Sequence, residues 1–175
     1  MLSSHVPVLG FAAYSGTGKT TLLTQLIPLL KQSGITTGII KHSHHNFEID
    51  KPGKDSYQLR AAGASPVMLV SAYRRAMITE FPHIQEAVLQ DQLDAFDQSA
   101  IDLILVEGFK AEKFPKIELH RPSLNKPLIY PGDDSVIAFA SDETLPLPEH
   151  ITALDLNNPG QIARFITTFI HQLSS

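Results

Sequence analysis

The chain has 175 residues, 43% of them hydrophobic, and no cysteine; that suffices for one domain with its own core, and it excludes a disulfide framework, a thiolate metal site and a cysteine nucleophile. Fourteen Lys and Arg against eighteen Asp and Glu leave a net charge of −4, too acidic for a general polyanion binder, so nucleic acid is not an expected partner. With no apolar run approaching a membrane span and no signal-peptide pattern at the front, a cytoplasmic protein without a membrane partner is expected.

Val6 to Ala13 reads as a short buried strand. Gly18 to Gln32 reads as a helix with leucines at helical spacing, stopped by Ser33-Gly34 and bent at Pro28. Ile35 to Lys41 is a second strand leading into a histidine-rich loop, and Asp55 to Ala62 a short helix. Val67 to Ser71 and Ala76 to Glu80 look like strands, Ile84 to Phe96 a helix, and Ile101 to Val106 a third buried strand. Half of the twelve prolines fall between Pro115 and Pro148, a loop-rich segment broken by short strands at Lys116 to His120 and Val136 to Ala140. Ile151 to Leu156 is a last strand and Pro159 to Leu173 an amphipathic closing helix. Strands alternating with helices predict an α/β fold around a mostly parallel sheet, one domain over residues 1–175, with ligands at the carboxyl ends of the strands.

Directly after the first strand stands Ala13-Tyr14-Ser15-Gly16-Thr17-Gly18-Lys19-Thr20, which fits the phosphate-loop pattern G-x-x-x-x-G-K-[ST] except that Ala13 replaces the first glycine. Small residues let successive backbone N–H groups converge on phosphate oxygens, and the helix that follows aims its positive end at the same anion. Ser15, Gly16, Thr17, Gly18, Lys19, Thr20 and Thr21 are therefore the nucleotide-binding candidates, with Lys19 reaching the β and γ phosphates and the Thr20 hydroxyl on Mg2+. A strand before and an amphipathic helix after are the context the motif requires; a glycine-rich strand-to-helix turn is the simpler alternative. The fold class follows as a P-loop NTPase-type three-layer α/β fold with a short β-rich insertion.

Such a loop needs a second acid at the end of a neighbouring strand. Glu107, closing Asp102-Leu103-Ile104-Leu105-Val106-Glu107-Gly108, can hold a metal-bound water or orient an attacking one, or it can cap a turn. Asp102 sits at the wrong end of that strand and reads as a strand-entry residue. Asp50 and Asp55 lie in Ile49-Asp50-Lys51-Pro52-Gly53-Lys54-Asp55-Ser56, a stretch able to close over the γ phosphate as a switch, with turn or N-cap duty as the alternative for each aspartate. Lys51 and Lys54 either help neutralise phosphate charge or are solvated loop lysines. Lys19, Glu107 and Asp50 are the catalytic candidates, and Thr20 and Glu107 the metal ligands.

His42-Ser43-His44-His45 places three imidazoles within four residues, but without cysteine a polar phosphate-side or substrate-side surface is favoured over a tight metal site. Asn125-Lys126-Pro127-Leu128 opens like the guanine-reading N-K-x-D motif and fails at Leu128. Asp142 follows a strand and is the better base-reading candidate, since one carboxylate can accept from the N1–H and 2-amino group of guanine that adenine lacks; a strand-end turn aspartate is the alternative.

Leu9 to Thr21, Ile40-Lys41-His42-Ser43-His44-His45, Asp50-Lys51-Pro52-Gly53-Lys54-Asp55-Ser56, Ala61-Ala62-Gly63-Ala64 and Leu103 to Lys110 together resemble the molybdopterin-guanine dinucleotide biosynthesis adaptor protein B family, MobB, over nearly the whole chain. The resemblance implies a P-loop GTPase-like fold, GTP binding with weak Mg2+-dependent hydrolysis, a homodimer, and a role beside the guanylyltransferase that attaches GMP to molybdopterin. Residue by residue it carries Gly16 to Thr21 as the phosphate and magnesium loop and Glu107 as the second acid; it does not settle Asp142. A small-molecule kinase or ATP-dependent ligase on the same scaffold is the competing reading, and a metal-delivery protein using the histidine loop a third.

Overall fold

In chain order the elements are β1 (Val8–Ala13), α1 (Lys19–Gln32), β2 (Thr37–Lys41), α2 (Asp55–Ala61), β3 (Val67–Val70), β4 (Arg75–Ile78), α3 (Leu89–Ala95), β5 (Leu103–Glu107), β6 (Lys116–His120), β7 (Val136–Ser141), β8 (Thr152–Asp155) and α4 (Pro159–Leu173). They belong to a computed structural model that describes residues 2–43 and 46–173. The chain divides into two compact bodies, Met1–His42 with Val88–Ser175, and Ser43–Ala87.

In the larger body six strands form one sheet in the order β2-β5-β1-β6-β7-β8, every pairing parallel. Strand β1 is central: α1 carries the chain from it to one side of the sheet, while β6 pairs on its other side, so the loop after β1 lies where the strand order switches. Side chains alternate along each strand. Leu9 and Phe11 of β1, Leu105 of β5 and Ile117 of β6 pack with Leu26 of α1 and Ile166 of α4 in one apolar core. Burying each large side chain of that core contributes roughly 1.5–3 kcal/mol. Helix α1 continues through Pro28, which is exposed.

The opposite face is held together differently. Gly10 has no side chain because a Cβ there would lie 2.6 Å from Cε2 of Phe114. Beside it, β6 turns Lys116, Glu118 and His120 into the protein, all buried. The Lys116 ammonium donates to Asp133 Oδ2 at 2.8 Å, Ser135 Oγ at 3.1 Å, the Lys110 carbonyl at 3.4 Å and the Glu112 carbonyl, and it lies 4.7 Å from the centroid of the Phe114 ring. Burial pushes the Asp133 carboxyl up, but its hydrogen bonds from Lys116, Ser135 and Lys113 prevail and hold it well below the usual carboxylate range. The Glu118 carboxylate accepts the N–H groups of Ile129 and Tyr130, each at 2.8 Å; burial pushes that carboxyl up and the two bonds offset part of the rise. The proline-rich segment is thus pinned by charged side chains in place of a crossover helix.

Several elements are shorter than predicted, and α3 departs furthest from its expected bounds. Helix α3 begins at Leu89 and not at Ile84, which is fully exposed and would bury nothing by joining a helix. Leu89 and Leu93 are the residues that reach the core, and the Glu112 carboxylate caps the new start by accepting the Leu89 N–H at 2.8 Å. A cap from a residue twenty-three positions away leaves no local mark.

In the smaller body α2 accompanies the antiparallel pair β3–β4, registered Met68 opposite Met77; this is the β-rich insertion. Its outward positions Met68, Val70 and Met77 are exposed. Among the described residues no helix is long and apolar enough to cross a membrane.

Candidate phosphate-binding site

Strand β1 ends at Ala13 and α1 begins at Lys19, so Tyr14 to Gly18 form the loop between them. Gly18 is the N-cap of α1 at φ +96°, a left-handed conformation that disfavours any side chain. No side chain caps this helix start and no acidic residue stands in its first turn. The N–H groups of Lys19, Thr20 and Thr21 are therefore left for an outside acceptor, and the helix dipole favours an anion there. Ser15, Gly16, Thr20 and Thr21 are exposed. Thr17 is buried and braces the loop: its hydroxyl donates to the Tyr14 carbonyl at 2.8 Å.

The parallel register sets Lys41 of β2 beside Glu107 of β5. The Glu107 carboxylate lies 3.2 Å from the Lys19 ammonium and 3.6 Å from that of Lys41. Lys110 adds a third cation, its Nζ 4.8 Å from the centroid of the Tyr14 ring. Burial and the neighbouring Lys19 charge hold Lys110 below the usual lysine range. Two ammonium groups on one carboxylate, with Lys110 near the Lys19 charge, leave the mouth of the loop electropositive, which suits a polyanion. The metal expectation also meets a suitable donor set, since Thr20 and Glu107 offer the hard oxygen ligands that Mg2+ takes.

Asp142 follows β7, and its Oδ2 accepts from Arg121 Nη1 at 2.6 Å. Arg121, the residue after β6, also donates from Nε to the Thr17 carbonyl at 3.0 Å and from Nη2 to Asn157 Oδ1 at 3.3 Å. Asp142 opens on a cleft of about 420 Å³ lined also by Phe139, Leu145, Leu154 and Asn157, and Asn157 is shared with a second cleft that reaches Gly18 and Thr21. Phosphate loop, Arg121 and Asp142 thus form one continuous rim along the carboxyl ends of the strands.

Asp50 belongs to the smaller body, where Arg60 donates to its Oδ1 at 2.8 Å and to Glu80 Oε1 at 2.5 Å. The Arg60 hydrogen bond holds the Asp50 carboxyl below its ordinary value. That pairing gives Asp50 a structural task within the insertion, made through Arg60 in place of the turn or N-cap duty weighed from the sequence. Asp55 opens α2 in its first turn, and Lys51 and Lys54 are exposed. Asp102 accepts the Thr36 N–H at 2.7 Å, at the entry end of β5 as expected. His42 stacks on Phe109 with ring centroids 4.8 Å apart, while His44 and His45 lie outside the described residues. Among the described residues no group of three or more His, Asp or Glu side chains is arranged to hold a metal ion by itself.

Sequence reasoning missed Arg121 and Lys110 as members of the site. Arg121 stands one residue past a predicted strand, the position that singled out Glu107, so the same rule applied to every strand end would have found it. Lys110 carried no such signal, because its approach to Tyr14 depends on the fold of the loop after β5.

Residues 8–142 match the family model described as MobB, molybdopterin guanine dinucleotide synthesis protein B. The chain is 47% identical over 168 residues to the molybdopterin-guanine dinucleotide biosynthesis adapter protein of Escherichia coli (strain K12), spanning 95% of each chain. It is 46% identical over 172 residues to the protein of the same name from Haemophilus influenzae, spanning 97% of this chain and 93% of that one. Among solved structures, a molybdopterin-guanine biosynthesis protein B superposes with a TM-score of 0.71 at 22% identity over 93% of this chain and 99% of that one. A MobB homolog from Bacillus stearothermophilus gives 0.68 at 20% identity over 94% and 98%. The two structural likenesses speak to the fold, and the sequence matches to descent: the chain belongs to the MobB family.

Proposed function

We propose that this protein is a GTP-binding adapter in molybdopterin-guanine dinucleotide biosynthesis, with slow Mg2+-dependent GTP hydrolysis. One observation carries the nucleotide part: an uncapped helix start, with Lys19 and Lys41 sharing a single carboxylate at the switch point of a parallel sheet. Gly16 to Thr21 would cradle the phosphates, Lys19 would neutralise them, and Thr20 with Glu107 would hold Mg2+. The ion supplies charge compensation for the triphosphate when bound. Glu107 and Lys19 are the groups assigned to hydrolysis. The cleft beside Asp142 has the volume of a small-ligand site, and Asp142 is assigned to read the base.

The adapter part rests on the names borne by relatives of 47% and 46% identity. Its partner would be the molybdopterin guanylyltransferase. A cytoplasmic homodimer belongs to the same reading, and the exposed apolar face of the β3–β4 pair is surface that a second copy can cover.

The test is to measure GTP affinity and hydrolysis with and without molybdopterin and its guanylyltransferase. Slow GTP turnover with partner binding is expected; ATP consumption that requires a small-molecule acceptor, at rates on the order of 10 per second, would replace the adapter with a kinase or ligase.

A further inference from the structure

We propose that Arg121 is a positioning residue for base selection, fixing the Asp142 carboxylate against the phosphate loop so that loop and base-side cleft act as one element. The inference deepens the nucleotide reading above and rests on it.

A guanidinium presents five N–H donors in a rigid planar fork. Here three of its bonds go to acceptors on three separate loops: the Thr17 carbonyl after β1 at 3.0 Å, Asp142 Oδ2 after β7 at 2.6 Å, and Asn157 Oδ1 after β8 at 3.3 Å. The group also covers the helix N-cap, since a Cβ on Gly18 would lie 3.8 Å from Nη2. An arginine serving only as phosphate charge would keep its fork for the anion. This one is committed to protein acceptors that bracket the two halves of the site.

Asp142 has the matching need. An aspartate on a strand-end loop rotates about two side-chain bonds, and a carboxylate that reads two adjacent donors must keep its plane. The Arg121 bond ties Oδ2 to a guanidinium that is itself anchored on Thr17. A carboxylate offers about four lone-pair sites, so the bond leaves both oxygens able to accept from the N1–H and 2-amino group of guanine. Adenine has neither donor there and would leave the fixed carboxylate unpaired, which is the source of discrimination in sites built to hydrogen-bond a ligand.

The full chain is titrated with GTP, ATP and inorganic triphosphate in the presence of Mg2+. Arg121→Gln is expected to lower the GTP-over-ATP affinity ratio about tenfold while triphosphate affinity moves less than about threefold. Asp142→Asn should cause a similar loss, and the double variant little more than either single one. Arg121→Lys guards against a folding defect: it keeps the charge without the fork and should lose the preference too. An intact preference in the Arg121 variants overturns the proposal. So does a parallel fall for all three ligands, which would make Arg121 a brace of the phosphate loop alone. Wild-type protein that binds triphosphate without preferring GTP also overturns it and leaves the phosphate site standing, whereas wild-type protein that binds no triphosphate removes the nucleotide reading itself.

Discussion

Lys116 and Lys19 each face a carboxylate, at 2.8 Å from Asp133 and 3.2 Å from Glu107, yet their surroundings differ in kind. Lys116 has a side chain only 2% exposed and is saturated by four oxygens and an aromatic face. Lys19 is 18% exposed and shares its one carboxylate with Lys41. A buried ammonium must bring its acceptors with it, because desolvation otherwise exceeds the Coulombic gain. A partly exposed ammonium competing with a second lysine is under-compensated, and an incoming polyanion can complete it. The first pair is a pin of the fold and the second is the pair proposed to meet the anion, though both are Lys paired with an acid.

Breaking each pair separates the two roles. Lys116→Met leaves Asp133 buried without its main cation, and should cost about 3–5 kcal/mol in urea unfolding; an unchanged midpoint would contradict the pin. Lys19→Ala should weaken GTP at least about a hundredfold, while unfolding changes by less than about 1 kcal/mol. Equal losses of stability and binding would erase the distinction.

Glu107→Gln sharpens it further. Mg2+-dependent hydrolysis should fall about tenfold or more, yet Mg2+-free triphosphate should bind about threefold tighter, because Lys19 and Lys41 lose their resident counter-charge. Weaker metal-free binding would show that Glu107 supports the anion site in some other way.

The smallest effect is in acid. The folded Asp133 carboxyl lies below its ordinary 3.8, so its contribution to stability is complete above about pH 4 and drains away as pH falls through the folded value. The stability gap between wild type and Asp133→Asn should hold steady between roughly pH 5 and 8 and narrow below about pH 4. A gap that stays constant in acid would remove Asp133 from the pin.

These contrasts also explain what could be read from the sequence. The helix over Pro159–Leu173 falls where the helical spacing of apolar residues places it, since that pattern is a local consequence of burial; the strand over Lys116–His120 also falls where expected, although its polar residues are buried as well. The strand–loop–helix setting of Tyr14 to Gly18 and the strand-end place of Glu107 were legible for a related reason: each depends on spacing within one such unit or at one strand end. Lys116 was not legible as a core residue, because its acceptors come from residues 110–112 and 133–135. Arg121 joins three loops, and the start of α3 depends on Glu112. Each failure is a case where a polar side chain is explained by partners outside its own element, information that periodicity does not contain.

The central claim is that the under-compensated lysine site binds a nucleoside triphosphate. Equilibrium dialysis of the full chain against labelled GTP with Mg2+ tests it most directly: the account predicts saturable binding approaching one nucleotide per chain, displaced by inorganic triphosphate. GTP that stays evenly distributed across the membrane at millimolar protein and nucleotide would contradict it.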